Sequence, residues 1–260
     1  MKFKAIVTDL DGTAVNSPES KVATERLAKS VRKLDGLGVK VCAATGRALS
    51  FANIMFRSMH LTDPAIVSSG ARIVDPVTEK ELWLCSLETT QTKEIIDILK
   101  QFNYGFLWND STEDDYLSGG WSLDAFDVFD STYFLEVCFV PQSEIDHIVD
   151  ELKTVDGIAV TVVIAQRPNT CDIHITNTKA TKEHAIYQLQ KMIGVDKSAI
   201  IGIGDGHNDT HLFSAVGYKV AMENSVTELK DQADKIIGHV KDDGLAIYFE
   251  ELAKEIENEV

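Results

Sequence analysis

The sequence has little of what a protein uses to bind nucleic acid or a membrane surface. Its 25 Lys and Arg residues stand against 41 Asp and Glu residues, which gives a net charge of −16. Basic side chains release counterions from nucleic acid, and anionic lipid headgroups attract the same side chains. The composition of this 260-residue chain therefore argues against both kinds of partner.

Long apolar runs and cysteine motifs are also missing. The longest apolar stretches, such as 158–165, are far shorter than the roughly 20 residues that a helix needs to cross a bilayer. Asp9 and Asp11 lie where a secretory signal would be apolar, so we expect no such signal. The four cysteines are far apart, which argues against a zinc site or a disulfide framework. A reducing cytoplasm suits them, and we expect a cytoplasmic protein.

The two ends of the chain have the alternating pattern of an α/β protein. Hydrophobic residues make up 44% of the chain, enough for a real core. The pattern predicts helices over 25–37 and 181–193, and strands over 5–10, 39–44, 65–67, 199–203 and 218–221. Such alternation indicates βαβ units and a parallel sheet. The strands are continuous apolar runs because both faces of a parallel sheet are covered.

The middle of the chain, residues 82–178, has an α+β pattern instead. It predicts helices over 92–102 and 144–155, and strands over 105–108, 133–140, 158–164 and 171–175. At the other end, residues 250–260 are predicted to form a charged helix with a solvated face. We therefore expect two domains, a core of residues 1–81 and 179–260 and an insertion of residues 82–178.

Paired carboxylates follow the first predicted strand, in Asp9-Leu10-Asp11-Gly12-Thr13. Residues two apart in an extended chain point the same way, and open α/β sheets bind ligands at this end of their strands. Two converging carboxylates repel one another unless a cation or proton lies between them, which suggests Mg²⁺. Gly12 allows the chain to turn sharply. An ordinary Asp-Gly turn is the alternative interpretation.

A second acidic string, 202–209, follows the predicted strand 199–203. If a helix begins near His207, then Asp205 and Asp209 lie close to one helix face. One carboxylate could bind a metal while the other orients a neighbouring group. The alternative is a glycine-rich turn in which Asn208 or Asp209 caps the helix, which explains those residues but not the whole string.

Two weaker signals complete the set. Thr45-Gly46-Arg47 offers a hydroxyl, a flexible amide and a guanidinium at the end of the second strand, all of which suit phosphate. Lys182 lies early in a predicted helix, with Lys179 as a rival three residues earlier. A single lysine in such a place is usually solvated.

Taken together, these four motifs resemble those of the haloacid dehalogenase superfamily, in the same order and at the same strand ends. The resemblance covers nearly the whole chain. Within the superfamily, the sequence is most similar to the Cof-type sugar phosphatases of cap class IIB. Further segments that carry the resemblance are Ser69-Gly70-Ala71, Ala185-Ile186 and Asp243-Gly244-Leu245-Ala246. The sequence departs from the family pattern at Ser69, where many members have Asn, and at Glu183, where many have Gly. The resemblance implies a Rossmann-like doubly wound parallel-sheet core with an inserted α+β cap.

The resemblance also implies a role for each motif residue. Asp9 would be the nucleophile that forms an aspartyl-phosphate, and Asp11 the general acid and base. Mg²⁺ would be held by Asp9, the backbone carbonyl of Asp11 and Asp205. The phosphoryl group would be bound by three residues: Thr45, Gly46 and Lys182. Supporting roles would fall to Asn208, Asp209, Gly12 and Arg47. Because haloacid-cleaving members lack the second acid, Asp11 argues against a dehalogenase.

The inserted segment would be the cap that closes over the site and contacts the leaving group. Its stretch 108–130 combines aromatic residues with seven acids and no Lys or Arg. Aromatic rings and carboxylates could bind a polyol, and the candidates are Trp108, Asp110, Tyr116 and Trp121. The alternative is that the aromatics pack the cap and the acids are solvated.

The charge of the chain is concentrated in the same segment. Residues 82–178 have a net charge of −13 and the remainder −3. Such a cap would repel bulky polyanions, which favours a small phosphorylated metabolite. We expect a sugar phosphate, with pyridoxal phosphate or another small monophosphate as the alternative, and a monomer or weak homodimer. A receiver-like signalling domain also forms an aspartyl-phosphate, but receivers are about half this length and place paired acids before the phosphorylated Asp.

Overall fold

The computed structural model describes residues 2–16, 22–109, 118–120, 123, 126, 130–165 and 167–259. The chain forms two compact units. Unit 1 comprises Met1–Trp83 and Thr181–Val260, and unit 2 comprises Leu84–Ala180. No helix among the described residues combines the length and the apolar character that a membrane span requires.

The strands and helices are numbered along the chain. The strands are β1 (Ala5–Thr8), β2 (Lys40–Ala43), β3 (Ala65–Val67), β4 (Arg72–Val74), β5 (Glu81–Leu84), β6 (Gly105–Asn109), β7 (Ser118–Gly120), β8 (Phe134–Pro141), β9 (Ile158–Ile164), β10 (Thr170–Asn177), β11 (Ile200–Gly204), β12 (Tyr218–Met222) and β13 (Lys235–Ile237). The helices are α1 (Glu25–Gly36), α2 (Leu49–Met59), α3 (Thr89–Leu99), α4 (Ile145–Leu152), α5 (Lys182–Ile193), α6 (Asp209–Ser214), α7 (Thr227–Lys230) and α8 (Gly244–Glu259).

Unit 1 is built on a parallel sheet whose strand order is β13-β12-β11-β1-β2. A parallel bridge between Ala44 and Ile66 joins the end of β2 to β3, and β3 pairs antiparallel with β4. The first strand therefore lies between β2 and β11, with chain connections leaving in both directions. This is where an open α/β sheet binds its ligands.

Helices cover both faces of this sheet. Residues of α1, α2 and α8 share one hydrophobic core with Ile6, Val41 and Ile201. Residues of α5 and α6 share another with Val7 and Cys42. Because alternate residues of each strand belong to opposite cores, the strands are apolar throughout. The α/β prediction, a doubly wound parallel-sheet core, is confirmed.

Local sequence explains most of these elements. Thr24 caps α1 by accepting a hydrogen bond from the amide of Leu27, and Gly194 ends α5 in the left-handed conformation. The C-terminal helix α8 differs from its prediction, since it begins at Gly244 and buries Leu252, Ala253 and Ile256. It is therefore one wall of the core rather than a solvated tail.

Unit 2 contains a five-stranded sheet of order β7-β6-β8-β10-β9. The β6–β7, β6–β8, β8–β10 and β10–β9 pairs are antiparallel. Helices α3 and α4 contribute Ile95, Ile96, Ile148 and Leu152 to a core shared with the sheet. This is the predicted α+β pattern, with the sheet covered on one face by these two helices.

Candidate active site

The acidic motifs and Thr45 follow three neighbouring strands of unit 1. Asp9 follows β1, Thr45 follows β2, and Asp205 follows β11. Because the strands are parallel, these residues lie at one edge of the sheet. Thr45 is fully buried and Asp9 is 5% exposed.

Lys182 joins two of the aspartates. Its Nζ donates hydrogen bonds to Asp9 Oδ1 at 2.7 Å and to Asp209 Oδ1 at 2.6 Å. The side chains of Lys182 and Asp209 are 2% and 0% exposed. Thr181 caps α5 and thereby starts the helix at Lys182. The rival Lys179 is exposed and belongs to unit 2, so the geometry favours Lys182.

Burial and mutual repulsion disfavour the ionised forms of Asp9 and Asp205 in this cluster. Burial raises the pKa of Asp9 to about 7, with further increases from the charges of Asp209 and Asp205, against the lowering effect of Lys182. Burial likewise raises the pKa of Asp205 to about 6, although a hydrogen bond from Thr13 opposes the shift. Burial alone would lower the pKa of Lys182, but Asp9 and Asp209 raise it, so the lysine stays cationic.

The donor set fits a small divalent cation. One carboxylate oxygen from each of Asp9, Asp205 and Asp209 lies within 4.8 Å of the others. Both oxygens of Asp209 already accept hydrogen bonds, Oδ1 from Lys182 and Oδ2 from the amides of Asp205 and Gly206. Asp9 and Asp205 therefore provide the oxygens that could bind a cation. Carboxylate oxygens are the ligands that Mg²⁺ prefers in proteins. Asn208, predicted to support them, is exposed at the start of α6.

Gly12 makes room for Asp205. Its φ is +79°, and a Cβ at this position would lie 2.1 Å from Asp205 Oδ2. Any side chain here would displace the carboxylate as well as strain the backbone. The glycine after the paired aspartates thus permits a close approach between two strand ends.

The turn of residues 68–70 contacts both the Thr45-Gly46-Arg47 segment and the start of the helix that carries Lys182. The amides of Ser69 and Ser68 donate to the carbonyls of Thr45 and Arg47, at 3.1 and 2.8 Å. Gly70 has a φ of +109°, and a Cβ there would lie 2.2 Å from the carbonyl carbon of Thr181. The turn therefore packs backbone to backbone against the residue before Lys182.

Arg47 pairs with Asp11. Its Nε lies 2.9 Å from Asp11 Oδ2 and its Nη2 lies 2.5 Å from Asp11 Oδ1, a fork of two parallel hydrogen bonds. The arginine side chain is 10% exposed and the aspartate side chain 30%. The hydrogen bond to Asp11 raises the pKa of Arg47 further. The residue types of Thr45-Gly46-Arg47 suited phosphate, and the family resemblance gave Arg47 a supporting role. The geometry directs its guanidinium at Asp11.

Three residues that support the site were given no role from the sequence, although Thr13 belongs to the first motif. Thr13 Oγ1 donates to Asp205 Oδ1 at 2.9 Å, and Ser225 Oγ donates to the carbonyl of Gly204. Asn224 Nδ2 donates to the carbonyl of Gly12 at 2.7 Å, while Asn224 Oδ1 accepts from the amide of Val240. Asn224 follows β12, so a search of every predicted strand end for polar residues would have included it.

The candidates in the inserted segment fall into two groups. Trp108 packs against Phe126, with ring centroids 5.2 Å apart in an edge-to-face arrangement. Phe126 belongs to the core of unit 2, and Trp108 is half-buried against that core. Asp110, Tyr116 and Trp121 lie outside the described residues. The position of Trp108 matches the interpretation that the aromatics pack the cap.

The chain matches the family model of haloacid dehalogenase-like hydrolases over residues 6–119 and 127–249. Among curated relatives, it is 23% identical to phosphoglycolate phosphatase 1 of Saccharolobus solfataricus, over 97% of this chain and 96% of that protein. It is also 23% identical to the 5-amino-6-(5-phospho-D-ribitylamino)uracil phosphatase YcsE of Bacillus subtilis, over 94% and 93%.

Solved structures show the same fold. The chain is similar to TM0651 from Thermotoga maritima, with a TM-score of 0.78 and 22% identity, over 96% of this chain and 97% of that one. It is also similar to the subclass IIB sugar phosphatase BT4131, with a TM-score of 0.70 and 17% identity, over 96% and 98%. The chain belongs to the haloacid dehalogenase-like hydrolases, in their Cof-type class, and is a phosphoric monoester hydrolase.

Proposed function

We propose that the protein is a Mg²⁺-dependent phosphatase that cleaves a small phosphate monoester through an aspartyl-phosphate on Asp9. The observation that carries this proposal is the position of Lys182, which binds Asp9 and Asp209 at once beside Asp205. A buried lysine held between two aspartates positions Asp9, and the third hydrogen on its Nζ can be donated to an oxygen of an entering phosphoryl group.

In the first step, an oxygen of Asp9 attacks phosphorus, and the bond from phosphorus to the alcohol oxygen breaks. Lys182 already donates to Asp9 Oδ1, which leaves Oδ2 as the attacking atom. A protonated Asp11 keeps one oxygen on Arg47 and donates its proton from the other to the departing oxygen, so the alcohol leaves neutral. Thr45, the Gly46 amide and Lys182 bind the phosphoryl oxygens.

In the second step, Asp11 accepts a proton from water as that water attacks phosphorus. The bond between Asp9 and phosphorus breaks, inorganic phosphate leaves, and Asp9 is again a carboxylate. Asp9, Asp205 and the backbone carbonyl of Asp11 would hold the metal. Bound Mg²⁺ supplies positive charge that offsets the charge of the phosphoryl group.

The substrate class follows from charge and from the relatives. We propose that unit 2 is the cap and that a small neutral leaving group, such as a sugar or polyol, is released. Residues 82–178 have a net charge of −13, which disfavours a substrate with further anionic groups. Relatives named for ribitylaminouracil and sugar phosphates support a hydroxylated leaving group. All four cysteines are buried and free, which suits the proposed cytoplasmic location.

A panel of phosphate esters tests the proposed function. Sugar phosphates, pyridoxal phosphate, phosphoglycolate, flavin mononucleotide and nucleotides are each incubated with Mg²⁺, and phosphate release is measured. We expect hydrolysis of small sugar or polyol monophosphates and poor hydrolysis of nucleotides. A strong preference for a nucleotide contradicts the substrate class. A long-lived phosphorylated Asp9 without phosphate release contradicts a phosphatase and indicates a receiver-like protein.

Metal-free protein is expected to lose stability as the pH rises from about 4 to about 7. In this window the unfolded chain has released protons that the folded chain keeps, because burial raises the pKa of Asp9 to about 7 and that of Asp205 to about 6. At a pH where the group is ionised in both the folded and the unfolded chain, each unit by which folding raises its pKa lowers the free energy of unfolding by about 1.4 kcal/mol. Thermal unfolding in EDTA at pH 5.0 and 7.5 measures the effect. Each kcal/mol of lost stability should lower the unfolding temperature by about 2–4 °C.

Added Mg²⁺ is expected to raise the unfolding temperature more at pH 7.5 than at pH 5.0, since it binds the ionised carboxylates. The Asp205→Asn variant is the control and should show a smaller pH dependence and a smaller response to Mg²⁺. Equal responses in the variant and the wild type would contradict a metal site formed by Asp9 and Asp205.

Replacement of Arg47 by Gln is expected to lower kcat by an amount that depends on the leaving group of the substrate. The change removes the fork that positions the Asp11 carboxyl group. A misplaced carboxyl group should lower kcat by about 10- to 100-fold for an alkyl phosphate, whose departing oxygen needs a proton. An aryl phosphate such as p-nitrophenyl phosphate needs little protonation and should keep most of its kcat. Steady-state kinetics on both esters measures the difference. Equal losses on the two esters would assign Arg47 to phosphate binding instead.

A further inference from the structure

Unit 1 has a cavity at the edge of its sheet that is opposite the candidate active site. It is lined by Lys2 and Phe3 before β1, by Tyr218 and Lys235 at the beginnings of β12 and β13, and by one face of α8. Asp9 follows the other end of β1. From Phe3 to Asp9 an extended chain advances roughly 20 Å, at about 3.3 Å for each residue. We call this separate space the base cavity.

The base cavity has a volume of about 250 Å³ and an apolar floor. The floor is formed by Tyr248, Leu252 and Ile256, which follow one another at four-residue spacing on α8 and are 5–6% exposed. At its side, the rings of Phe3 and Tyr218 lie 5.2 Å apart between centroids. Pockets for drug-sized molecules measure about 300–1,000 Å³, so this cavity suits a smaller ligand with an apolar part.

A buried phenol in the base cavity has an unused hydrogen bond. Tyr248 is 5% exposed, and its hydroxyl forms no hydrogen bond with any residue that the structure describes. Burial raises the pKa of Tyr248, so the hydroxyl remains protonated and can donate. A buried phenol usually has a hydrogen-bond partner, which here would be a molecule in the cavity.

Lys2 brings a positive charge to the same cavity. Its Nζ lies 4.9 Å from the ring centroid of Phe3 and 5.6 Å from that of Tyr218, within the range of cation–π contacts. It forms no ion pair with a carboxylate of the described chain. The two rings hold the ammonium group beside the cavity without neutralising its charge.

The other charges of the base cavity limit how much negative charge a ligand can carry. Lys235 Nζ lies 4.8 Å from the ring centroid of Tyr248, and 3.7 Å from Glu251 Oε2. Glu255 also lines the cavity, and both glutamates are close enough to raise the pKa of Tyr248. Because one lysine is matched by a glutamate and a second glutamate is present, a ligand with one negative charge fits better than one with two.

We propose that the base cavity binds a small monocarboxylate that has an apolar or aromatic body. The carboxylate accepts hydrogen bonds from the Tyr248 hydroxyl and from the Lys2 ammonium group. The body of the ligand packs against Leu252, Ile256 and the ring of Phe3. Phosphate esters carry two negative charges and are disfavoured here, so this site differs in its ligand from the candidate active site. It does not depend on the proposed phosphatase function.

NMR titration of the full-length chain with 3-phenylpropionate, in EDTA at pH 7.5, tests the proposal. We expect backbone shifts around Lys2, Tyr218 and α8, and a Kd of about 1 mM. The neutral isostere 3-phenylpropanamide should bind about tenfold more weakly, and inorganic phosphate should not displace the acid. Tyr248→Phe removes only the hydroxyl, so it should raise the Kd about tenfold and leave the unfolding temperature unchanged.

The matched control for Lys2→Gln is Lys4→Gln, since Lys4 is exposed and does not line the cavity. Lys2→Gln should raise the Kd severalfold and Lys4→Gln should leave it unchanged. Equal Kd values for the acid and its amide, or for Tyr248→Phe and the wild type, would overturn the proposal. Shifts centred on Asp9 instead of the base cavity would also overturn it, as would no binding at about ten times the expected Kd.

Discussion

The Asp9→Asn variant is expected to lose phosphatase activity by at least about 10⁴-fold, because an amide cannot form the acyl phosphate. The substitution keeps the shape of the side chain, and its oxygen can still accept a hydrogen bond from Lys182. It also removes one charge from a cluster in which burial and two neighbouring carboxylates disfavour ionisation of Asp9. The metal-free variant should therefore unfold at pH 7.5 no earlier than the wild type.

Phosphate release and thermal unfolding are measured together on this variant. Lost turnover with an intact unfolding transition supports Asp9 as the nucleophile. Turnover within tenfold of the wild type would contradict the role, since a positioning or metal-binding oxygen can be supplied by an amide but a nucleophilic carboxylate cannot. Early unfolding would instead assign Asp9 to the structure of the core.

The second large effect is expected for Lys182→Met. Its side chain fills a buried position between Asp9 and Asp209, so methionine would leave two buried carboxylates without their cation. Breaking such a pair costs about 3–5 kcal/mol. The variant also lacks the hydrogen-bond donor to the phosphoryl group. Its kcat/KM should therefore fall by about 10²–10³-fold, which corresponds to about 3–4 kcal/mol for one missing donor.

Lys179→Met is the matched control, because Lys179 is an exposed lysine three residues away. Its free energy of unfolding should change by less than about 0.5 kcal/mol, with turnover unchanged. Mg²⁺ should restore part of the stability of Lys182→Met without restoring turnover. Equal effects of the two substitutions would contradict the assignment of Lys182 as the motif lysine.

The sequence predicted those elements whose hydrophobic pattern is regular. Helix α1 was predicted to within one residue because Leu27, Val31 and Leu34 lie on one buried stripe and Thr24 caps it. Helix α2 was missed although its apolar positions are spaced for a helix. Phe51 and Ile54 are also apolar but exposed, and they obscure the stripe.

The candidate site was predictable where strand ends carry the chemistry. Spacing alone brought Asp9 and Asp11 to one strand end, and parallel pairing of β1 with β11 brings Asp205 beside them. The fork between Arg47 and Asp11 was not predictable, because it depends on how two side chains from different strand ends are oriented. The pairing of Glu136 with His174 in unit 2 also depends on the strand register, which a sequence pattern does not specify.

The same limit explains Trp108. An aromatic residue among acids suggested contact with a substrate, but Trp108 pairs with Leu135 and packs, half-buried, against the core of unit 2. Its neighbour Asn109 points the other way, toward the face of the sheet that α3 and α4 do not cover.

The central claim is that Asp9 carries the phosphoryl group between the two steps. Acid quenching within milliseconds of mixing enzyme with a polyol phosphate, followed by peptide mass spectrometry, measures this directly. We predict one phosphoryl group on Asp9 that forms before phosphate appears, decays as phosphate is released, and accumulates in the Asp11→Asn variant. Phosphate release at the full rate with Asp9 unmodified at every time, in both proteins, would contradict the account.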